Sequence, residues 1–134
     1  MGKGLIGCAV GVAGALFALA AAAHHSFAIF DHSRTSTLTG QVVSFQWTNP
    51  HGYLQIDVPG KAGSKRYTLE LTSINMLRRA GWRSSDVHPG DHVTAVMAPM
   101  LTGEPGGLLL ELQVPGGRKL IPPVPGINTF KRTP

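Results

Sequence analysis

The stretch that most constrains the fold runs from Gly40 to Val58, GQVVSFQWTNPHGYLQIDV. Two runs rich in β-branched and aromatic residues flank Thr48-Asn49-Pro50-His51-Gly52, a string of turn formers. The segment therefore reads as two β-strands joined by a corner with a histidine at its tip. Along the first run the apolar positions change parity, with Leu38 and Val42 on one face and then Val43, Phe45 and Trp47 on the other. Strand side chains alternate strictly, so such a slip marks a bulge or bend near residues 40–43. A long, bent first strand is what a small barrel needs in order to share one strand between its two halves.

The remaining chain supplies the other staves. Leu54, Ile56 and Val58 alternate with Tyr53, Gln55 and Asp57. After a loop at 59–64, Tyr67, Leu69 and Leu71 alternate with Arg66, Thr68 and Glu70. Thr72 or Ser73 can cap a short helix ending near Ala80, with Ile74 and Leu77 facing inward and Gly81 in the C′ position. Arg78 and Arg79 suit the negative end of that helix. A turn at 87–91 launches a fourth strand at 92–98, and a Gly- and Pro-rich connection at 99–107 leads to a fifth at 108–114. That fifth strand is expected to set Leu108, Leu110, Leu112 and Val114 against Leu109, Glu111 and Gln113. A short strand at 118–121 follows the Pro115-Gly116-Gly117 turn. The order predicts an all-β domain with one short helix, a small OB-like five-stranded β-barrel of order β-β-β-α-β-β over residues 24–121. Residues 122–134 contain four prolines and read as a flexible tail.

Residues 1–23 read as a cleavable signal peptide, a short n-region with Lys3 followed by an uncharged apolar run ending in Ala20-Ala21-Ala22-Ala23. The expected address is the periplasm or beyond. With the leader removed no stable membrane anchor is expected; an uncleaved leader would tether the domain to the membrane. Cys8, the only cysteine, lies in this leader, so a processed domain has no disulfide and no cysteine-based zinc site. Eleven Lys and Arg against seven Asp and Glu remain after residue 23, scattered without a basic stripe. Solubility accounts for that pattern, and export argues against a nucleic-acid partner.

Small residues at the leader's end permit two cuts. Cleavage after Ala23 makes His24 the N-terminus, where the free amine and the imidazole chelate together. With His51 adding a third nitrogen, this is the T-shaped histidine brace that suits Cu(II). Cleavage after Ala22 makes His25 the third residue, and amine, two amides and imidazole form a square-planar set for Cu(II) or Ni(II). The candidate metal ligands are therefore His24, His25 and His51, with copper as the metal. Phe27, Ile29 and Phe30 can pin the N-terminus to the domain, whereas His32, His88 and His92 read as loop and strand-start histidines. The plainer reading takes His24-His25 as a polar start to the processed chain and His51 as a turn residue.

Several motifs in order, His24-His25-Ser26-Phe27-Ala28-x-Phe30-Asp31, Leu38-Thr39-Gly40, Trp47-Thr48-Asn49-Pro50-His51, Leu77-Arg78-Arg79-x-Gly81-Trp82 and Pro89-Gly90-Asp91, resemble the small exported proteobacterial proteins called domain of unknown function six-one-five-two. The resemblance spans nearly the whole domain and implies secretion and a compact β domain. It supplies no catalytic residues.

Two functions stay open on the sequence. One is an exported binding or accessory protein holding copper through the histidines. The other is a metal-free module using a barrel face with Trp47, Asn49, Tyr53 and Trp82 to bind a glycan, peptide or protein of the envelope. Catalysis ranks below both: the acidic residues are scattered, and no Ser-His-Asp arrangement has recognisable context. Gly103-Glu104-Pro105-Gly106-Gly107 lacks the Lys-Ser/Thr sequel of a phosphate loop.

Overall fold

A computed structural model describes residues 27–124. Its strands are β1 (Ser36–Gln46), β2 (Tyr53–Val58), β3 (Lys65–Glu70), β4 (His92–Pro99), β5 (Gly106–Gln113) and β6 (Lys119–Leu120), with helix α1 (Ile74–Arg79) between β3 and β4. The sheet order is β3-β2-β1-β4-β5-β6, and a parallel pairing of β3 with β5 closes the first five strands into a barrel. This is the expected OB-like architecture with β6 as an extra strand on β5. Among the described residues no helix is long and apolar enough to cross a membrane.

The bend in β1 falls where the parity slip put it. The N-terminal part of β1 pairs with β4, and Gln41 to Gln46 pair with β2. Opposite β2 the register jumps between Val42, facing Ile56, and Ser44, facing Gln55, so Val43 is the extra residue of a bulge. Leu38 and Val42 reach the barrel core before the bulge, and Phe45 and Trp47 reach it after. Gly40 is required at the bend, because a β-carbon there would run into the carbonyl oxygen of Asp57 on β2.

Inside the barrel, Leu54, Ile56, Leu69, Leu71, Val93, Ala95, Met97, Leu109 and Leu112 form one buried cluster. Helix α1 closes it with Leu77. The helix starts at Ser73, whose side chain accepts from Met76 N–H, and its end carries both hydrogen bonds of a Schellman motif. Gly81 N–H reaches Arg78 O at 3.0 Å and Trp82 N–H reaches Leu77 O at 3.0 Å, with Gly81 at φ 86°. That geometry turns Trp82 back onto the core. Beyond it, a 3-10 turn at Ser84–Asp86, absent from the sequence expectation, is tied down by Arg118, whose Nη2 donates to Asp86 Oδ1 at 2.7 Å.

Two expectations need correction at β5. The strand begins at Gly106, within what reads as a connection, because glycine lets the backbone approach β4 closely; a β-carbon on Gly107 would meet Ala98 O and Met97 Sδ. The alternation Leu108, Leu110, Leu112, Val114 also fails. Val96 pairs with Glu111 but Met97 with Leu109, which makes Leu110 the extra residue. Leu109, Leu112 and Val114 therefore point into the barrel, while Leu108 and Leu110 join a second cluster on the outside. Three consecutive leucines carry no parity, so the bulge is invisible in the sequence.

The outer cluster explains how the chain start is held. Phe30, Ala98 and Leu108 are its buried centre, and Phe27, Met100, Leu110 and Val124 pack around them. Residues 27–31 form a strap across the β4–β5 turn, with Asp31 N–H donating to Pro99 O at 2.8 Å and Leu101 N–H to Ile29 O at 2.9 Å. Phe27 and Phe30 anchor it as expected, whereas Ile29 is 43% exposed. Pro122 is buried and Val124 packs here too, so the first residues of the proline-rich segment belong to the body of the domain.

Candidate functional site

The corner between β1 and β2 is built from its turn residues outward. Asn49 and Pro50 are joined by a cis peptide bond, and Asn49 Oδ1 accepts from Ile74 N–H at 3.2 Å, satisfying one of the orphan donors at the start of α1. Gly52 continues the β2–β3 ladder past its formal end: its N–H reaches Thr72 O at 3.3 Å, and its carbonyl accepts from Leu71 N–H at 2.8 Å. His51 is thereby fixed at the lip of the β2–β3 hairpin.

Its imidazole is held from two directions. Nδ1 lies 2.9 Å from Glu70 Oε1, and the two side chains are only 17% and 13% exposed. Glu70 stands opposite Tyr53 in the β2–β3 register, on the outward parity of β3. The Phe27 ring meets the His51 ring edge to face, with centroids 6.0 Å apart and planes at 63°. The strap that carries Phe27 is itself closed by His32, whose Nε2 donates to Phe27 O at 2.8 Å. Beside this cluster, burial and then the charge of Glu70 push the Tyr53 phenol above its usual range.

Of the expected ligand set, only His51 lies within the described residues; His24 and His25 fall outside them. His88 and His92 lie on the turn before β4 and at its start, and the His88 side chain is 65% exposed. Among the described residues no group of three His, Cys, Asp or Glu side chains could hold a metal ion. Within the described residues His51 and Glu70 form a hydrogen-bonded pair rather than a metal-binding group.

Of the four residues expected to make an aromatic binding face, Trp47 and Trp82 both pack on Phe45, with ring centroids 5.7 and 6.4 Å away. Trp82 is 2% exposed and belongs to the barrel core, so it offers nothing to a partner. Trp47 packs edge-on to Phe45 at 5.7 Å and leans on the same core. Asn49 is engaged by α1. Tyr53 faces outward, half-buried, with Glu70.

Sequence reasoning missed Glu70 and treated His32 as a solvated loop residue. Glu70 carried a usable signal, its outward parity at the end of β3, which becomes telling once the hairpin register sets it opposite Tyr53.

A protein-family model, the family of unknown function DUF6152, matches residues 13–110. Neither a curated protein nor a solved structure matches the chain. The match covers most of the sequence, and the chain belongs to this family.

Proposed function

We propose that this member of DUF6152 is an exported binding or accessory protein of the periplasm that holds copper through His24, His25 and His51. The observation that carries the reading is the contact of Phe27 with His51. His25 and His24 precede Phe27 by two and three residues, and an extended chain spans at most about 3.6 Å per residue. Covalent length alone keeps both histidines within roughly 7–11 Å of the Phe27 backbone. That short tether, with Phe27 against His51, supports a site shared between the start of a processed chain and the lip.

The chemistry follows from the donors. Imidazole nitrogens and an N-terminal amine favour copper over hard cations such as calcium or magnesium. With cleavage after Ala23, His24 contributes two nitrogens and His51 a third. With cleavage after Ala22, the third-position His25 closes a planar set and His51 supplies an additional ligand. In both forms His51 is the ligand contributed by the barrel.

The test uses the full chain expressed with its leader in an exporting host. Intact mass and N-terminal sequencing locate the cut, and calorimetric titration with Cu(II) follows on the processed protein. Binding tighter than micromolar that His51→Ala weakens supports the reading. A processed protein that refuses copper overturns it and leaves a metal-free envelope module using the outer surface around Tyr53 and Trp47.

A further inference from the structure

We infer that Glu70 is the positioning residue of His51: it accepts a hydrogen bond from Nδ1–H, fixes the plane of the ring and leaves Nε2 as the atom that binds the metal. The inference deepens the copper reading above and rests on it for its metal arm, while its tautomer arm stands on the protein alone.

The geometry supports each part. A 2.9 Å separation between His51 Nδ1 and Glu70 Oε1 is a hydrogen bond, and an ionised carboxylate can only accept. The proton must therefore sit on Nδ1, and in the neutral ring Nε2 is then the lone-pair atom. Free imidazole side chains do not hold one tautomer so strictly. Here the choice is enforced where both side chains are largely shielded from water, which makes a carboxylate a better acceptor than it is on the surface. Glu70 is itself held, because β3 pairs with β2 on one side and with β5 on the other, and Glu70 faces Tyr53 and Leu108 in those two registers.

Phe27 supplies the second constraint. Its edge-to-face contact limits rotation of the ring about the bond that the Glu70 hydrogen bond leaves free. A carboxylate on one nitrogen and a ligand position on the other is the arrangement that sets imidazole orientation and basicity at metal centres, where loss of the carboxylate typically costs ~10–100-fold in metal affinity. The Asp57–Arg66 pair on the same hairpin is a useful contrast. It is bidentate, at 2.8 and 2.9 Å, but Arg66 is 54% exposed, and its guanidinium, unlike an imidazole, has no lone pair to offer a ligand.

The experiment compares wild type, Glu70→Gln and Glu70→Ala in the full processed chain. Nitrogen-15 correlation spectra of the metal-free proteins, taken above the ordinary imidazole titration range, read the His51 tautomer. Titration with Cu(II) alone and pulsed EPR of the remote imidazole nitrogens read the site. Expected are an Nδ1–H tautomer in wild type, its retention in Glu70→Gln, where the amide oxygen still accepts, and a shift toward Nε2–H in Glu70→Ala. Copper affinity falls ~10–100-fold in Glu70→Ala, and less in Glu70→Gln. A wild-type Nε2–H tautomer, or a Glu70→Ala protein with unaltered tautomer and copper spectrum, overturns the inference. Wild type that has the Nδ1–H tautomer but ignores copper leaves the positioning role standing and removes the metal reading instead.

Discussion

Replacing Trp82 by phenylalanine should leave the domain about as stable as before, or more so, although Trp82 is among the largest side chains in the core. Two opposing terms decide this. Removing part of the indole leaves a cavity of about 35 Å³ at ~24 cal/mol per Å³, and with the transfer energy of the lost atoms the cost is ~1–2 kcal/mol. Against that, Trp82 Nε1 is buried with no hydrogen-bond partner among the described residues. An unsatisfied buried donor costs ~1–3 kcal/mol, and phenylalanine abolishes it. The balance runs from a loss of about 1 kcal/mol to a gain of about 2 kcal/mol. Trp82→Ala removes the same donor but opens a far larger cavity, and should cost ~3–5 kcal/mol. Urea unfolding followed by far-UV circular dichroism measures both, since fluorescence would lose one of its two reporters. A loss of about 2 kcal/mol or more in Trp82→Phe would refute the reasoning, because it would mean that the indole N–H has a partner worth keeping.

Other perturbations test other joints. Gly40→Ala should destabilise by ~1–3 kcal/mol or prevent folding, since the new methyl meets the Asp57 carbonyl rather than a yielding side chain; the urea midpoint reads it. Although burial raises Asp86, the hydrogen bond from Arg118, that from Arg83 N–H and the charges of both arginines together outweigh it and hold the carboxyl below the usual range. A depressed carboxylate stabilises the fold above its unfolded pKa, and the benefit fades as pH falls through the lower folded value. Asp86→Asn should accordingly lie below wild type in melting temperature near neutrality and converge with it in acid; a gap independent of pH would count against the ion pair. Phe27→Ala should weaken copper binding while shifting the global unfolding midpoint little, because Phe27 sits at the rim of the outer cluster; unchanged affinity would break the link between strap and site.

The barrel was legible because its signals are local. The parity slip in β1, the alternation of β2 and β3 and the Ser73-to-Gly81 helix punctuation each need only a few neighbouring residues, and each appears where expected. What escaped depends on partners distant in the chain. Leu110 bulges out because β4 demands it, and the leucine run does not say so. Trp82 looks like a surface aromatic beside arginines until the Schellman turn folds it under α1. The same division runs through the site. His51 at a turn tip was visible from Thr48-Asn49-Pro50-His51-Gly52 alone. Glu70 was an outward residue like any other on β3 until the register set it opposite Tyr53.

The parallel seam between β3 and β5 is only three residue pairs long, Thr68 with Gly106, Leu69 with Gly107 and Glu70 with Leu108. It joins two hairpins: β2–β3, which carries His51 and Glu70, and β4–β5, on which the strap with Phe27 lies. Joining residues so far apart in sequence exacts loop-closure entropy before any contact repays it, so the seam belongs to the late events of folding. It is also the shortest ladder of the closed barrel, and hence a natural place for transient opening in the native protein. Each such opening would part Phe27 from His51 while leaving the His51–Glu70 pair intact. Hydrogen exchange at the amides of residues 68–70 and 106–108 would then report the rate at which the two halves of the site come together and separate.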